Sequence, residues 1–383
     1  MPNNVKSKAN TRKLWLNTHL YLGLIFGLFF VMTGITGSIL AFYVDIDELL
    51  NPELVIAHHE NQHKQSYETL FQALKTAEPS RDKAWRLELP DNPNRMVTAR
   101  YYKPEETKHL DFAPLIVSVN PYTAEVVASR FWGEFAMTWI YDLHYTLLLN
   151  GTGRVAMSII GIFIFLSLCT GIYLWWPTKH TLKTAFSFKR HTSSKRNIYD
   201  IHKLSGVYSL PILVIVVVTG VLLGFPYVEP AVQALSPLYK PASTSSILID
   251  NGQRLPVDKI VDIAQQQFPK ANVKWIETPN GITGSYRINL RQEGEPSQRF
   301  PKTNVWLDQY SGKILAIRDI HKDGAGDTFL RWLHPLHTGQ AFGLTGRIIV
   351  CISGLLPVIL FVTGYIRWRQ KQRKKTNVIH KFS

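Results

Sequence analysis

LHYTLLLNGTGR at 143–154 returns as LHTGQAFGLTGR at 336–347, with Leu, His, Thr, Gly and Arg coinciding without a gap. At the same offset Trp139 falls on Trp332, and Thr170 with Gly171 falls on Thr363 with Gly364. A second, slightly shorter offset lays His19 on His202, Gly23 on Gly206, and Thr36 with Gly37 on Thr219 with Gly220. A third, between the two, lays NPYTAEVV at 120–127 over DQYSGKIL at 308–315. Self-similarity of this kind is read before anything else, because it sets the architecture. It predicts an internally duplicated chain, each half running helix, outer domain, helix in the same orientation: parallel repeats about an axis along the membrane normal.

The helices of that scheme are apolar enough to cross a bilayer. Four stretches, roughly 14–43, 155–176, 207–225 and 348–366, are long and almost uncharged. A spanning helix needs about 20 such residues. The mean hydropathy of −0.04 averages these with ordinary polar sequence. The first stretch exceeds a secretory leader in length and lacks a small-residue cleavage site, so it reads as a retained anchor. The predicted fold is an α-helical membrane bundle of four transmembrane helices with two periplasmic α+β domains. Its parts are 1–43, N-terminus and first span; 44–137, first outer domain; 138–176, second span; 177–197, basic loop; 198–228, third span; 229–329, second outer domain; 330–368, fourth span; and 369–383, basic tail.

Charge supplies the orientation. The chain carries 43 basic and 28 acidic side chains in 383 residues, a net +15. Basic clusters fall before the first span (Lys6, Lys8, Arg12, Lys13), between the second and third (Lys179, Lys183, Lys189, Arg190, Lys195, Arg196) and after the fourth (Arg367, Arg369, Lys371, Arg373). All lie on one side of an even-numbered set of spans, which predicts that side, with both termini, to be cytoplasmic in a bacterial inner membrane. The positive charge is thereby a topology signal, and no nucleic-acid partner is implied; the expected surroundings are membrane lipid. Within the outer stretches, 66–77 and 256–267 have helical spacing, and alternating runs at 85–90, 97–102, 115–119, 273–277, 286–290 and 304–308 read as strands.

Polar residues in spans are costly and mark function. The repeat matches four histidines in two pairs: His19 with His202 near the inner face, and His144 with His337 at the outer entrances of spans two and four. A neutral imidazole ligates haem iron axially, and two on facing helices can hold one porphyrin. The pattern therefore predicts two non-covalent b-type haems. Gly23 and Gly206, one turn after the inner histidines, leave clearance for a haem edge. His334 competes with His337 for the outer position, but its repeat mate is Tyr141, which favours His337. Arg154 and Arg347, ten residues past the outer histidines, are candidate propionate contacts, with helix-end pairing as the alternative. His58, His59 and His63 form a weaker candidate metal group. Cys169 and Cys351 both lie in spans, and no CxxCH occurs, which excludes covalent haem attachment and an outer disulfide framework.

LNTHLYLGLIFG at 16–27, DLHYTLLLNGTGR at 142–154, TGIYLWWP at 170–177, YDIHKLSGVY at 199–208 and LRWLHPLHTG at 330–339 carry a resemblance. With the two outer regions, they resemble the PepSY-associated transmembrane proteins, an iron-regulated inner-membrane group that includes bacterial ferric-siderophore reductases. The resemblance implies two periplasmic PepSY domains and haem-mediated reduction of a periplasmic ferric chelate or siderophore, releasing Fe(II) for uptake. Some relatives carry a fused flavoprotein module. No such glycine fingerprint follows Arg367, so an external donor, a membrane quinol or a cytoplasmic reductase, is expected. PepSY domains are also associated with regulation of secreted peptidases, and that non-redox, membrane-anchored binding role is the alternative. A metal transporter would want carboxylates inside the bundle, where the spans carry almost none.

Overall fold

The uncharged stretches form the long helices that their length demands, since a backbone in lipid must satisfy its own hydrogen bonds. The computed structural model describes residues 2–57, 62–189, 192–248 and 252–379; His58 and His59 lie outside them. The helices are α1 (Pro2–Leu40), α2 (Tyr43–Leu50), α3 (Tyr67–Ala77), α4 (Ala136–Thr146), α5 (Asn150–Trp175), α6 (Leu182–Ala185), α7 (Ser194–Gly224), α8 (Val228–Leu235), α9 (Val257–Gln267), α10 (Ala325–Thr338) and α11 (Gly343–Ile379). Among the described residues, four helical segments are long and apolar enough to cross a membrane: Asn10–Leu40, Asn150–Trp175, Ser194–Gly224 and Gln340–Arg373.

The chain divides into two compact units. The membrane unit comprises Met1–Phe42, Leu143–Pro226 and Leu336–Ser383. In it α1 packs on α5 and α11, and α7 packs on the same two, so the four helices form a ring with α1 and α7 across its diagonal.

The soluble unit comprises Tyr43–Asp142 and Tyr227–Pro335. Its strands are β1 (Trp85–Glu88), β2 (Val97–Tyr101), β3 (Leu115–Val119), β4 (Val126–Phe131), β5 (Asn272–Glu277), β6 (Ser285–Arg291), β7 (Thr303–Asp308) and β8 (Ile314–Arg318). The two outer regions, expected as separate small sheets, join into one. A single antiparallel sheet runs β4-β3-β2-β1-β5-β6-β7-β8, and β1 pairs with β5 at its centre, placing Leu87 opposite Ile276. The reason is exposure: β1 and β5 are each the first strand of their four-stranded half, and pairing them removes two open edges. The core takes Leu70, Leu74 and Ile260 from α3 and α9, and Trp85, Leu87, Ile276, Ile288 and Leu307 from the strands. Corresponding hairpins at β3–β4 and β7–β8 turn alike. Ala124 (φ 59°) and Gly312 (φ 71°) take left-handed backbone, and Asn120 and Asp308 accept from the amides of Tyr122 and Tyr310 in Asx turns.

Helices α3 and α9 are joined at their N-termini by exchanged caps. The Asp258 carboxylate accepts from the amides of Tyr67 and Glu68 at 2.9 Å each, and Glu68 accepts from the Val257 amide at 2.9 Å. Each carboxylate thus fills free amides of the other helix and sits at a positive helix end. Asp258→Ala is expected to lower stability by about 1–2 kcal/mol, read by denaturant unfolding of the intact protein in detergent. The exposed neighbour Asp262→Ala should leave the midpoint in place; equal losses from the two would sink the cap assignment.

Candidate functional site: two histidine pairs in the membrane unit

The spans read at 138–176 and 330–368 are each broken near their start. Between α4 and α5 the backbone is left-handed at Leu147 (φ 54°), Leu148 (φ 60°) and Asn150 (φ 53°); between α10 and α11 it is left-handed at Gly339 (φ 76°) and Gly343 (φ 60°). Left-handed backbone at a residue with a side chain costs roughly 1–2 kcal/mol, so the first break is held by its surroundings. The following helix presses against the turn. A Cβ on Gly153 would run into the Thr146 carbonyl oxygen, and one on Gly346 into that of Gly339. These repeat-matched glycines therefore permit the breaks. As a result His144 and His337 sit on α4 and α10, short helices that precede the spans, and not on the spans themselves.

The structure brings the four histidines together as two pairs. The rings of His19 and His202 have centroids 6.2 Å apart at an interplanar angle of 77°. Those of His144 and His337 are 6.1 Å apart at 55°. His334 lies in the soluble unit, its ring edge-on to Phe300 at 4.9 Å. His337, and not His334, is the partner of His144.

Each histidine is held in the same way by a neighbouring helix. The Nδ1 of His19 contacts the Ser167 carbonyl at 3.1 Å and Thr170 Oγ1 at 3.0 Å on α5. That of His202 contacts the Leu360 carbonyl at 3.1 Å and Thr363 Oγ1 at 2.9 Å on α11. His337 meets the Val216 carbonyl at 2.9 Å and Thr219 Oγ1 at 3.2 Å on α7. His144 meets Thr36 Oγ1 at 2.8 Å on α1, together with the backbone of Thr33. In every case the carbonyl belongs to the residue three before the threonine.

The tautomer follows from these partners. Carbonyl oxygens only accept, and each threonine hydroxyl already donates back into its own helix: Thr36 to Met32, Thr170 to Ser167, Thr219 to Ile215 and Thr363 to Ile359, at 2.6–2.8 Å. The imidazole must therefore donate from Nδ1–H, which leaves the lone pair on Nε2. Metal-ligating histidines are oriented by this kind of second bond.

The residue after each threonine is a glycine against which the ring lies. A Cβ at Gly37 would stand 3.1 Å from His144 Cε1, at Gly171 3.1 Å from His19 Cε1, at Gly220 2.8 Å from His337 Cε1, and at Gly364 3.5 Å from His202 Cε1. The Thr-Gly dipeptides that the repeat matches are the seats of the histidines. Their coincidence at the same offsets as the histidines was the available signal.

The other predicted residues fall as follows. A Cβ on Gly23 would meet nothing within 4 Å, so there is open space one turn from His19, whereas one on Gly206 would stand in ordinary contact with Leu360 Cδ2 at 3.5 Å. Arg154 donates to the Tyr145 hydroxyl at 3.1 Å, beside His144, because the broken helix returns it to that level. Arg347 donates to the Ala41 carbonyl at 2.8 Å and stacks on Phe42 at 4.4 Å.

The donor set fits a porphyrin held by two imidazoles. Ring centres 6.2 and 6.1 Å apart leave room for one metal ion to be bound by both imidazoles of a pair at about 2.0 Å each. Among the described residues no group of three or more His, Cys, Asp or Glu gathers, so a site needing four protein ligands has no donors here.

A family comparison matches residues 16–371 to the PepSY-associated TM region. The chain belongs to that family. No curated protein matches the chain.

Gly220→Val should push His337 off its seat and lower the thermal unfolding temperature of the intact protein, a loss of about 1–3 kcal/mol for an overpacked site. Gly23→Ala, entering open space, should leave the unfolding temperature of the cofactor-free protein unchanged. The reverse order would contradict the seating geometry.

Proposed function

We propose that this PepSY-family membrane protein is a two-site haem electron carrier that reduces a ferric chelate, a ferric-siderophore reductase with an external electron donor. The observation that carries the reading is the fourfold repetition of one arrangement: Nδ1–H tied to a carbonyl and a threonine, the ring laid on glycine, and a second imidazole facing the first. Satisfying one ring nitrogen four times over leaves the other as an acceptor, with a second imidazole close by, and that is what ligation needs. His19 and His202 would hold the inner group, His144 and His337 the outer one. A haem so held supplies reversible one-electron Fe(III)/Fe(II) chemistry.

The positions suit transfer across a bilayer. His19 and Thr36, the latter seating His144, are separated by seventeen residues of α1, a rise of about 25 Å; the same count separates His202 from Thr219 on α7. Against a hydrocarbon layer of about 30 Å, one pair lies near each face. With the basic loops inside, the charge rule puts the segments that follow the first and third spans on the periplasmic side. The bundle fixes the tautomers of the imidazoles, while the soluble unit offers the surface that a chelate can meet. The ferric chelate as substrate, and the release of Fe(II) that reduction brings, rest on the resemblance of the sequence.

The family match by itself backs a second reading better than the first: a membrane-anchored PepSY protein with a binding or peptidase-regulatory role and no redox activity. The large soluble unit, with β4 and β8 as the end strands of an eight-stranded sheet, is a binding platform on that reading.

A dithionite-reduced minus oxidised spectrum of the purified protein, with haem stoichiometry by pyridine haemochromogen, separates the two. Two b-type haems per chain are expected. A protein that stays colourless after haem supplementation would leave the binding role in its place. His337→Ala should lose one haem of the two and His334→Ala neither. Thr363→Val, which removes only the hydroxyl oriented toward His202, should weaken retention at the inner site by about 10–100-fold, read by haem transfer to an apo-globin acceptor.

A further inference from the structure

Arg367 stands apart from the other basic residues of the inner side. It lies four residues after Thr363 and three after Gly364 on α11, hence on the face that seats His202, one turn further along. Its guanidinium is half-buried and lies over the Tyr199 ring at 4.5 Å. Tyr199 is itself three residues before His202 on α7, so ring and histidine share a face. Two elements thus independently place Arg367 beside the inner histidine pair, and the guanidinium is within electrostatic reach of both His19 and His202.

The neighbouring cations are neutralised and Arg367 is not. Arg196 and Lys203 also flank the Tyr199 ring, at 5.0 and 6.0 Å. Both pair with the fully buried Asp200 carboxylate, at 3.0 and 3.1 Å, and Asp200 also accepts from the Lys189 amide. Among the described residues no carboxylate lies within ion-pair distance of Arg367. A charge serving only as a topology signal would snorkel out to the lipid headgroups and stay exposed, as its neighbour Arg369 is exposed. Arg367 instead folds against an aromatic face. A half-buried guanidinium with donors to spare is a planar fork suited to a carboxylate.

We propose that Arg367 is the anion-holding residue of the inner site, its guanidinium taking the carboxylate edge of the porphyrin ligated by His19 and His202. The proposal rests on the haem reading above. It assigns the inner propionate contact to a residue on which the repeat is silent: the matching position in the first half is Leu174. The two sites are therefore unequal, with a fixed positive charge at the inner one. A cation beside a haem favours the reduced, less positive iron, so Arg367 raises the potential of the inner group.

The test is a spectroelectrochemical titration of the full-length protein, wild type against Arg367→Gln, with the exposed Arg369→Gln as control. Arg367→Gln should move one of the two redox components to lower potential and leave the other in place; Arg369→Gln should move neither. In a His19→Ala background, which keeps only the outer group, Arg367→Gln should shift nothing. Should Arg367→Gln fail to fold, Arg367→Lys decides. It keeps the charge and loses the fork, so the haem propionate bending band in resonance Raman should shift. Wild-type protein with two haems whose potentials and Raman band ignore these substitutions would overturn the role of Arg367 and leave the haem reading standing. Wild-type protein that binds no haem would remove both.

Discussion

The hydrogen bond from each histidine Nδ1 to a carbonyl and a threonine on a neighbouring helix is the contact around which the membrane unit is arranged. In lipid no water is at hand to satisfy an imidazole N–H, so the protein must supply an acceptor. It does so with a carbonyl of an adjoining helix and the threonine three residues on, whose own proton is returned to the helix backbone. That solution leaves the other ring nitrogen basic, and it demands close approach, which is why a glycine follows the threonine each time.

The bonding pattern also shows how the halves cooperate. His19 on α1 is seated on α5, and His144, just before α5, is seated on α1. His202 on α7 is seated on α11, and His337, just before α11, is seated on α7. Every seat is thus internal to one half of the chain. Each pair, in contrast, takes one histidine from each half. A half alone could orient its two imidazoles but could not oppose them, so the pairing of the rings depends on the two halves packing together. The sheet follows the same logic in the soluble unit, where β1 of one half pairs with β5 of the other.

Much of this was legible in the residues. The four spans follow from uninterrupted apolar length, and the matched histidines from the repeat, because both are local properties of the chain. The helices at 66–77 and 256–267 and the strand runs were readable from their periodicity. The continuous sheet was not, since the pairing of β1 with a strand from the other half of the chain leaves no mark on periodicity. Nor was the seat of each histidine, because Thr36 and Thr170 are 108 and 151 residues from the rings they hold. The dipeptides were visible, but their role depends on which helices adjoin. Arg367 was hidden for a different reason: a basic residue at the end of a span is explained by topology before any other role is considered.

The breaks at 147–150 and 339–343 have a geometric cause. Along a continuous helix, Arg154 would lie about 15 Å from His144, and the histidine would point wherever the span's own register left it. Detaching α4 and α10 frees His144 and His337 from that register, so each can meet a seat on another helix while α5 and α11 keep the register that seats His19 and His202. The left-handed backbone at Leu147, Leu148 and Asn150 is the local cost of that freedom, and Gly153 and Gly346 provide the room for it. The same departure brings Arg154 back beside Tyr145. A span that seats one histidine and must also be preceded by another cannot remain one straight helix.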